Sequence, residues 1–295
     1  MNPETILNLP KYHRKTFISL IFAVFIIALL LDWILSDLPV KEVILGYVRA
    51  IAGSILITLL VLWTLVSFFP PLKSEEGISE LQPGKMTAEF KDQLGEALRW
   101  RYKGNFGRYM RGKVLPTLAE KQNAHITACI IDPRITLLCE RHAIYRNRYG
   151  SADNGKLFDA DSVAVEALVT IIMCAWYVAN KDMIIDLFVS QVFDPLRIDS
   201  SDSSMILTVE DRKKPALKIT KGHFTYENFE LQMKIARDQG QRIKLNGVRG
   251  GIELAEINTI DIVNAANAAE MLDLCNRLGA ETVLTACRAA KNAYE

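Results

Sequence analysis

The sequence lacks the short motifs that mark common enzyme active sites. It contains no G-x-x-x-x-G-K-[ST] phosphate loop, no H-E-x-x-H zinc helix, no G-x-S-x-G nucleophile turn and no Rossmann-type glycine fingerprint. The five cysteines are odd in number and include no C-x-x-C pair, which is typical of buried free thiols rather than of zinc or redox sites. We expect no cofactor and no resident metal.

The chain also lacks an excess of either charge. Residues 1–72 hold five of the 35 Lys and Arg residues and four of the 34 Asp and Glu residues, so the other 223 residues carry 30 of each. A formally neutral domain cannot attract nucleic acid through its overall charge. Any site for an anionic ligand must therefore be local.

Two long uncharged runs near the N-terminus predict a membrane segment. Residues 50–69 contain no charge, and about twenty apolar residues in a helix span roughly 30 Å of hydrocarbon. Residues 16–31 are also uncharged and reach spanning length if the helix continues to residue 35. We predict a two-helix hairpin, residues 1–72, with spans at about 16–35 and 50–69. A signal peptide is the alternative; no small-residue cleavage pattern follows the first run.

The flanking charges predict the topology. The flank before the first span is basic, with Lys11, Arg14 and Lys15, which places both termini in the cytoplasm of a bacterium under the positive-inside rule. The protein would then lie in the inner (plasma) membrane. The connection between the spans carries the acids Asp32, Asp37 and Glu42, which could form a cation-favouring pore mouth or simply a soluble turn.

The second span carries small residues at a spacing that suits helix association. Ala50, Ser54 and Thr58 follow a small-x-x-x-small pattern, which lets two helix backbones approach closely. Two helices cannot enclose an aqueous pore alone. Conduction would therefore require a homo-oligomer.

The remaining chain predicts an α/β domain. We assign residues 73–86 to a linker, residues 87–250 to a mixed sheet with flanking helices, and residues 251–295 to a helical hairpin interrupted at Gly279. Alternation at 98–103 predicts a strand with Leu98, Trp100 and Tyr102 on one face and the cations Arg99, Arg101 and Lys103 on the other. With a helix to about residue 120 and a strand at 125–131 it forms one α/β unit. The apolar stretch 163–179 reads as a buried core helix, with a third membrane span as the alternative.

The most unusual soluble stretch is the basic-aromatic segment, residues 99–113. It contains six cations and no acid, with aromatic residues between the cations and glycines that interrupt them. Cations suit phosphates and aromatic rings suit bases, so this pattern predicts a nucleotide or single-strand site. The equally weighted alternative is a face that rests on anionic lipid or in water. The candidate ligand-binding residues are Arg99, Arg101, Lys103, Asn105, Arg108, Arg111 and Lys113.

From residue 97 to about 245 the layout resembles the phospholipase D-like fold of bacterial sensor and regulatory proteins. The resemblance rests on G-N-F-G-R-Y (104–109) ahead of V-L-P-T-L, the strand end A-C-I-I-D-P (128–133), and M-I-L-T beside P-A-L-K-I (205–219). The family's catalytic motif, His-x-Lys-x4-Asp, is absent; His13-x-Lys15 has the opening pair, but position 20 is leucine. The resemblance therefore implies a binding cleft without hydrolase activity.

A sensing domain joined to a two-helix hairpin resembles the membrane effectors of bacterial anti-phage systems of the CBASS or Hailong type. That resemblance implies a homo-oligomeric channel or membrane-disrupting assembly, gated by a nucleotide or oligonucleotide that a nucleotidyltransferase partner makes. The alternative is a membrane-anchored binding or scaffold protein without conductance. A third possibility is an enzyme with an unrecognised metal site at Asp132 and Asp194.

Overall fold

The computed structural model describes residues 77–148, 157–211 and 213–289, together with single helical residues between 19 and 61. Contacts divide the chain into two units, Met1–Glu76 and Gly77–Glu295. The predicted pore-mouth residues Asp32, Asp37 and Glu42 lie outside the described residues.

The second unit is built on one mixed sheet, as predicted, and its described residues form eight strands. The strand order is β1-β7-β6-β5-β2-β3-β4-β8; β2, β3 and β4 are parallel, and the other neighbours are antiparallel. The strands are β1 Ile78–Leu81, β2 Arg99–Lys103, β3 His125–Ile131, β4 Ile184–Ser190, β5 Leu196–Ser200, β6 Ser204–Val209, β7 Ala216–Thr220 and β8 Gln241–Arg242.

Helices flank this sheet. They are α1 Pro83–Glu96, α2 Leu115–Ala119, α3 Thr136–Asn147, α4 Ala160–Lys181, α5 Phe224–Asp238, α6 Thr259–Ala268, α7 Leu272–Leu278 and α8 Ala280–Arg288. A π-helical turn, Met110–Val114, leads into α2, and a 3-10 turn, Leu254–Glu256, precedes α6. Successive side chains of a strand point to opposite faces of the sheet, and here they belong to two separate apolar clusters. One cluster contains residues of α4 and the other contains residues of α5, so these helices cover opposite faces of the sheet.

The large core lies on the α4 face. α4 begins behind Asp159, whose carboxylate accepts a hydrogen bond from the Ser162 amide at 2.7 Å. Among the described residues it is the one helix long and apolar enough to cross a membrane, and 72% of its apolar stretch is buried inside the domain. A helix that is apolar all round and enclosed by protein is a core helix, which confirms the prediction for residues 163–179.

The start of the domain differs from the prediction. Residues 78–81 form β1, which pairs with β7, and α1 begins at Pro83, so the second half of the predicted linker is ordered secondary structure. β1 is a short edge strand with only Leu81 buried, so it has no apolar alternation to detect. Proline suits the first turn of a helix, which allows α1 to begin directly after the strand.

The C-terminal region is helical, but it forms three helices, α6 to α8, where two were expected. Gly279 separates α7 from α8, and its φ of 84° is one that glycine adopts easily. α6 and α8 pack on α4, so this region closes the large core. The five cysteines are all buried and free, as predicted.

Candidate functional site

β2 places the first part of the basic-aromatic segment on two faces of the sheet. Trp100 and Tyr102 are buried in the large core, whereas Arg101 and Lys103 are partly exposed on the α5 face. The predicted alternation is confirmed for residues 99–103, whereas Leu98, expected on the buried face, precedes the strand and is 49% exposed. Arg99 is exposed at the amino end of the strand, where its backbone amide is bound by Asp202 at 3.0 Å.

The cations on the α5 face have carboxylate partners from later in the chain. The Arg101 guanidinium donates to the Tyr226 hydroxyl at 2.9 Å, and its Nε lies 3.1 Å from Glu230, a residue of α5. Lys103 forms an ion pair with Asp194, in the loop between β4 and β5. These pairs connect β2 to α5 and to the carboxyl edge of the sheet.

Arg108 and Arg111 turn instead toward α4, where both form ion pairs with Glu166. Arg111 is 5% exposed and also donates to the Glu166 carbonyl at 2.7 Å and the Thr170 hydroxyl at 2.8 Å. Burial would raise the Glu166 pKa, but the charges and hydrogen bonds of the two arginines outweigh it and lower that pKa to about 2. Glu166 therefore holds the start of the π-helical turn against α4.

The seven predicted ligand-binding residues thus do not form one cluster. Arg99 lies at the amino end of β2 and Arg101 lies beneath α5, whereas Arg111 is buried against α4 and Lys113 is half-buried in the π-helical turn. At the carboxyl end of β2, Lys103 and Asn105 both contact Asp194, and Arg108 lies over the ring of Phe106. The seven residues are divided because the chain turns after β2, at Gly104 and Gly107, and then enters the π-helical turn.

Gly107 makes this turn possible. Its φ is 73°, in the left-handed region, and a Cβ atom there would lie 3.1 Å from the side chains of both Met110 and Thr170. Its amide donates to the Tyr102 hydroxyl at 3.1 Å. A residue without a side chain is therefore required where the backbone passes α4.

At the carboxyl ends of the parallel strands lies a buried polar group, here called the Glu210 network: Asn105, His142, Arg146 and Glu210. The Glu210 carboxylate is bound by His142 Nε2 at 2.8 Å, Arg146 Nη1 at 2.8 Å and Asn105 Nδ2 at 2.9 Å. Burial opposes ionisation of Glu210, but these three partners outweigh it and lower its pKa to about 2. Three parts of the chain converge on this carboxylate: the segment after β2, helix α3 and the segment after β6.

Two buried atoms of the Glu210 network have no hydrogen-bond partner within the described residues. They are Asn105 Oδ1 and His142 Nδ1, on side chains 4% and 0% exposed. Burying a polar atom without a partner costs about 1–3 kcal/mol. Such atoms at the carboxyl edge of a parallel sheet are where a bound group would recover that free energy.

An aromatic pair lies beside the Glu210 network. Phe106 and Phe158 stack with ring centroids 5.9 Å apart, and the guanidinium carbons of Arg108 and Arg146 each lie about 5 Å from both rings, within the range of cation–π attraction. Asn147 fixes Phe158 by two hydrogen bonds to its backbone, each 2.8 Å long. The edge of the sheet thus combines arginines with aromatic rings from three segments of the chain.

The aspartates considered for metal binding have other roles. Asp132 is bound by the Arg134 guanidinium at 2.6 and 2.9 Å, and Asp194 by Lys103. Among the described residues no three His, Cys, Asp or Glu side chains converge to hold a metal ion.

A separate cleft of about 620 Å³ opens between the start of α3 and the C-terminal helices. Arg134, Glu270, Asp273 and Arg277 line it, so both charge signs are present. Arg134 is bound to Asp132 and Gln241, and Arg277 to Asp161. This cleft has no excess of cations to favour an anion.

The residues that complete the carboxyl edge carry little local signal in the sequence. Glu166, Glu210, His142 and Phe158 lie 37 or more residues away from Asn105 and attracted no site prediction. Glu210 directly follows β6, and a carboxylate at a strand end is the only local signal that it offers.

No family model and no curated protein matches the sequence. Among solved structures, that of TrmBL2, an archaeal chromatin protein with a novel mode of DNA binding, is similar with a TM-score of 0.33. The identity is 10%, and the match covers 69% of this chain and 70% of that chain.

Proposed function

We propose that this chain is a homo-oligomeric membrane effector whose α/β domain binds an anionic ligand, a nucleotide or oligonucleotide, at the carboxyl edge of the sheet. Ligand binding would control an assembly of residues 1–72 that conducts ions or disrupts the membrane. A role in anti-phage defence, beside a nucleotidyltransferase that makes the ligand, belongs to the same proposal.

The observation that carries the ligand part is the pair of unpartnered buried atoms, Asn105 Oδ1 and His142 Nδ1, beside stacked rings and arginines. The base of a nucleotide offers N–H donors to the Asn105 amide oxygen, and the phosphates of the nucleotide would attract the Arg108 guanidinium. Lys103 adds a third cation at the same edge. The domain has phospholipase D-like motifs without the catalytic His-x-Lys-x4-Asp, which supports binding over hydrolysis and makes a phospholipase D-like fold part of this proposal.

The membrane part is supported by residues 1–76. The runs at 16–31 and 50–69 have the composition of spans. Five of the six described large aliphatic residues of this unit lie on helices and are 45–65% exposed, whereas Ile55 is half-buried; the five are Ile26, Leu30, Ile51, Ile57 and Val61. Such exposure is unfavourable in water and is expected of a surface that meets lipid.

The predicted helix-packing residues have a further property that suits a membrane. The Ser54 and Thr58 hydroxyls donate to the carbonyls four residues earlier, at 3.0 and 2.8 Å. Each hydroxyl is thereby satisfied within its own helix, so the small-residue face with Ala50 carries no open donor into hydrocarbon. Close helix association through this face remains part of the proposal.

A matched pair of variants tests the ligand site in the full-length protein in nanodiscs. Binding of labelled nucleotides and short single-stranded DNA or RNA is measured for the wild type, Arg108→Ala and Arg99→Ala. Both variants remove one cation from the same segment, but only Arg108 lies at the carboxyl edge. We expect Arg108→Ala to weaken binding at least about tenfold and Arg99→Ala to leave it unchanged, since one charged hydrogen bond contributes about 1.5–3 kcal/mol.

Three outcomes would count against the proposal. Equal losses in both variants would indicate a diffuse basic surface, and binding to anionic vesicles alone would indicate that the segment meets lipid. No binding of any nucleotide at low salt would favour the membrane-anchored scaffold. The internal carboxylate partners of Arg101, Arg108 and Arg111 are the observation that favours this second candidate.

A further inference from the structure

The outer face of α5 carries an apolar stripe of three side chains. Phe224, Leu231 and Ile235 are 64%, 54% and 45% exposed, while Tyr226 and Met233 on the inner face are buried against the sheet. At 100° per residue the three lie within about 40° of one another around the helix. Aliphatic and aromatic residues aligned on one exposed face usually mark an interface.

Two opposite charges run along one flank of this stripe. Glu227 and Lys234 are seven residues apart, which is two helical turns, so they share a flank. Both are exposed, and neither forms an ion pair within the part of the chain that the structure describes. This flank is thus acidic at Glu227 and basic at Lys234; Asp238, at the end of the helix on the same flank, forms an ion pair with Arg237.

The apolar residues are spaced so that the stripe matches itself about a two-fold axis near residue 230. With a rise of 1.5 Å per residue, Phe224 lies about 9 Å to one side of that point and Ile235 about 7.5 Å to the other. Leu231 lies within about 1.5 Å of the centre. In an antiparallel pair, Phe224 therefore meets the partner's Ile235, and Leu231 meets the partner's Leu231.

The charges select the same arrangement. Antiparallel helices related by a two-fold axis place identical flanks opposite each other, so Glu227 faces the partner's Lys234 in two symmetric pairs. In a parallel pair, residues of equal number would lie at equal height, and no such match of opposite charges would arise. One axis thus satisfies both the apolar spacing and the charge order.

From this agreement we propose that the α5 stripe is an isologous interface between two copies of this chain, with the helices antiparallel. The interface goes beyond the proposed function, because it needs neither a ligand nor conduction. It assigns a particular surface of the domain to self-association. Since it is formed by exposed residues of one helix, it can be tested without disturbing the carboxyl edge.

A cysteine at the two-fold axis gives a direct test. Leu231→Cys in the full-length protein places two thiols opposite each other, whereas the five native cysteines are buried. We expect a disulfide-linked dimer on mild oxidation. Ile260→Cys, at an equally exposed position on α6, is the matched control and should remain monomeric on a reducing-agent-free gel.

Charge reversal in the Leu231→Cys background tests the orientation. Glu227→Lys or Lys234→Glu alone puts like charges opposite each other twice, and each should lower the dimer yield about fivefold or more. The double reversal restores opposite charges and should return the yield to the starting level. The proposal is overturned if Leu231→Cys links no more than Ile260→Cys, or if the double variant stays as low as the single ones.

Discussion

Two carboxylates, Glu166 and Glu210, each neutralise two basic groups in places that water hardly reaches. Their side chains are 17% and 11% exposed. Removing one partner from such a buried pair typically costs about 3–5 kcal/mol, because the other charge stays buried without compensation. Glu166 joins the π-helical turn to α4, and Glu210 joins the ends of β2, α3 and β6. Both therefore position the proposed ligand site rather than compete for a ligand in water.

The low pKa of Glu166 predicts a pH dependence of stability. Its pKa is about 2 in the folded protein and near 4.5 in an unfolded chain. A carboxylate of this kind stabilises the fold fully above pH 4.5, and the stabilisation is lost as the pH falls toward 2. The shift corresponds to a loss on the order of 3 kcal/mol from this residue.

Thermal unfolding of the full-length protein in detergent, measured from pH 7 to pH 2, tests this. We expect Glu166→Gln to lower the melting temperature at pH 7 and to flatten its decline below pH 4.5. Glu140→Gln, an exposed residue of α3, should leave the whole profile unchanged. A wild-type slope retained in Glu166→Gln would show that other carboxylates govern the acid response.

At the scale of elements, the turn after β2 depends on glycine. We expect Gly107→Ala to destabilise the domain by at least about 1–2 kcal/mol, because alanine disfavours a positive φ and its methyl group would press on Thr170. Gly95→Ala is the control: that glycine lies in α1 with open space around it, and alanine there should stabilise by up to about 1 kcal/mol.

Denaturant midpoints of the two variants measure the difference. Since Gly107 also sets the path of Asn105 and Arg108, the ligand affinity should fall with Gly107→Ala and not with Gly95→Ala. Equal stability of both variants would mean that the turn relaxes without cost.

Much of the sheet could be predicted from the sequence because its strands carry a local signal. Apolar runs predict strands at 125–131 and 216–220, and helical spacing predicts a helix at 224–238; β3, β7 and α5 have these bounds. β5 was missed. Its buried Asp199 and Ser200 are residue types that favour turns, and their partners appear only in the folded protein. The Arg197 side chain and the Trp100 indole bind Asp199, and the Ser200 hydroxyl donates to Glu230 at 2.7 Å.

The candidate site was predictable only in part, for a related reason. The composition of the basic-aromatic segment is a local property, but the direction in which each arginine points is decided by carboxylates far along the chain. Glu166 is 55 residues from Arg111, and Glu210 is 105 residues from Asn105. Pairings over such separations leave no periodicity that a single sequence could show.

At the scale of the whole molecule, the proposed effector and a passive scaffold differ in what residues 1–72 must do. Replacing them with an unrelated two-span segment should retain ligand binding, because the domain folds around its own core. It should abolish ligand-dependent dye release from liposomes, because the sequence of the native spans would form the conducting assembly. Dye release by the exchanged protein equal to that of the wild type would show that the native spans serve only for attachment.

The place where the chain enters the domain has a mechanical consequence. The Gly77 carbonyl accepts a hydrogen bond from the Thr220 amide at 2.7 Å, and β1 runs from there along β7 at the edge of the sheet. Gly77 also lies against His223, which caps α5. Tension arriving from the N-terminal segment would thus load the β1–β7 ladder first and then the cap of α5. The hydrogen bonds between β1 and β7 would therefore limit the force that can be transmitted along the chain into the domain, because this four-residue strand separates from the sheet once they break.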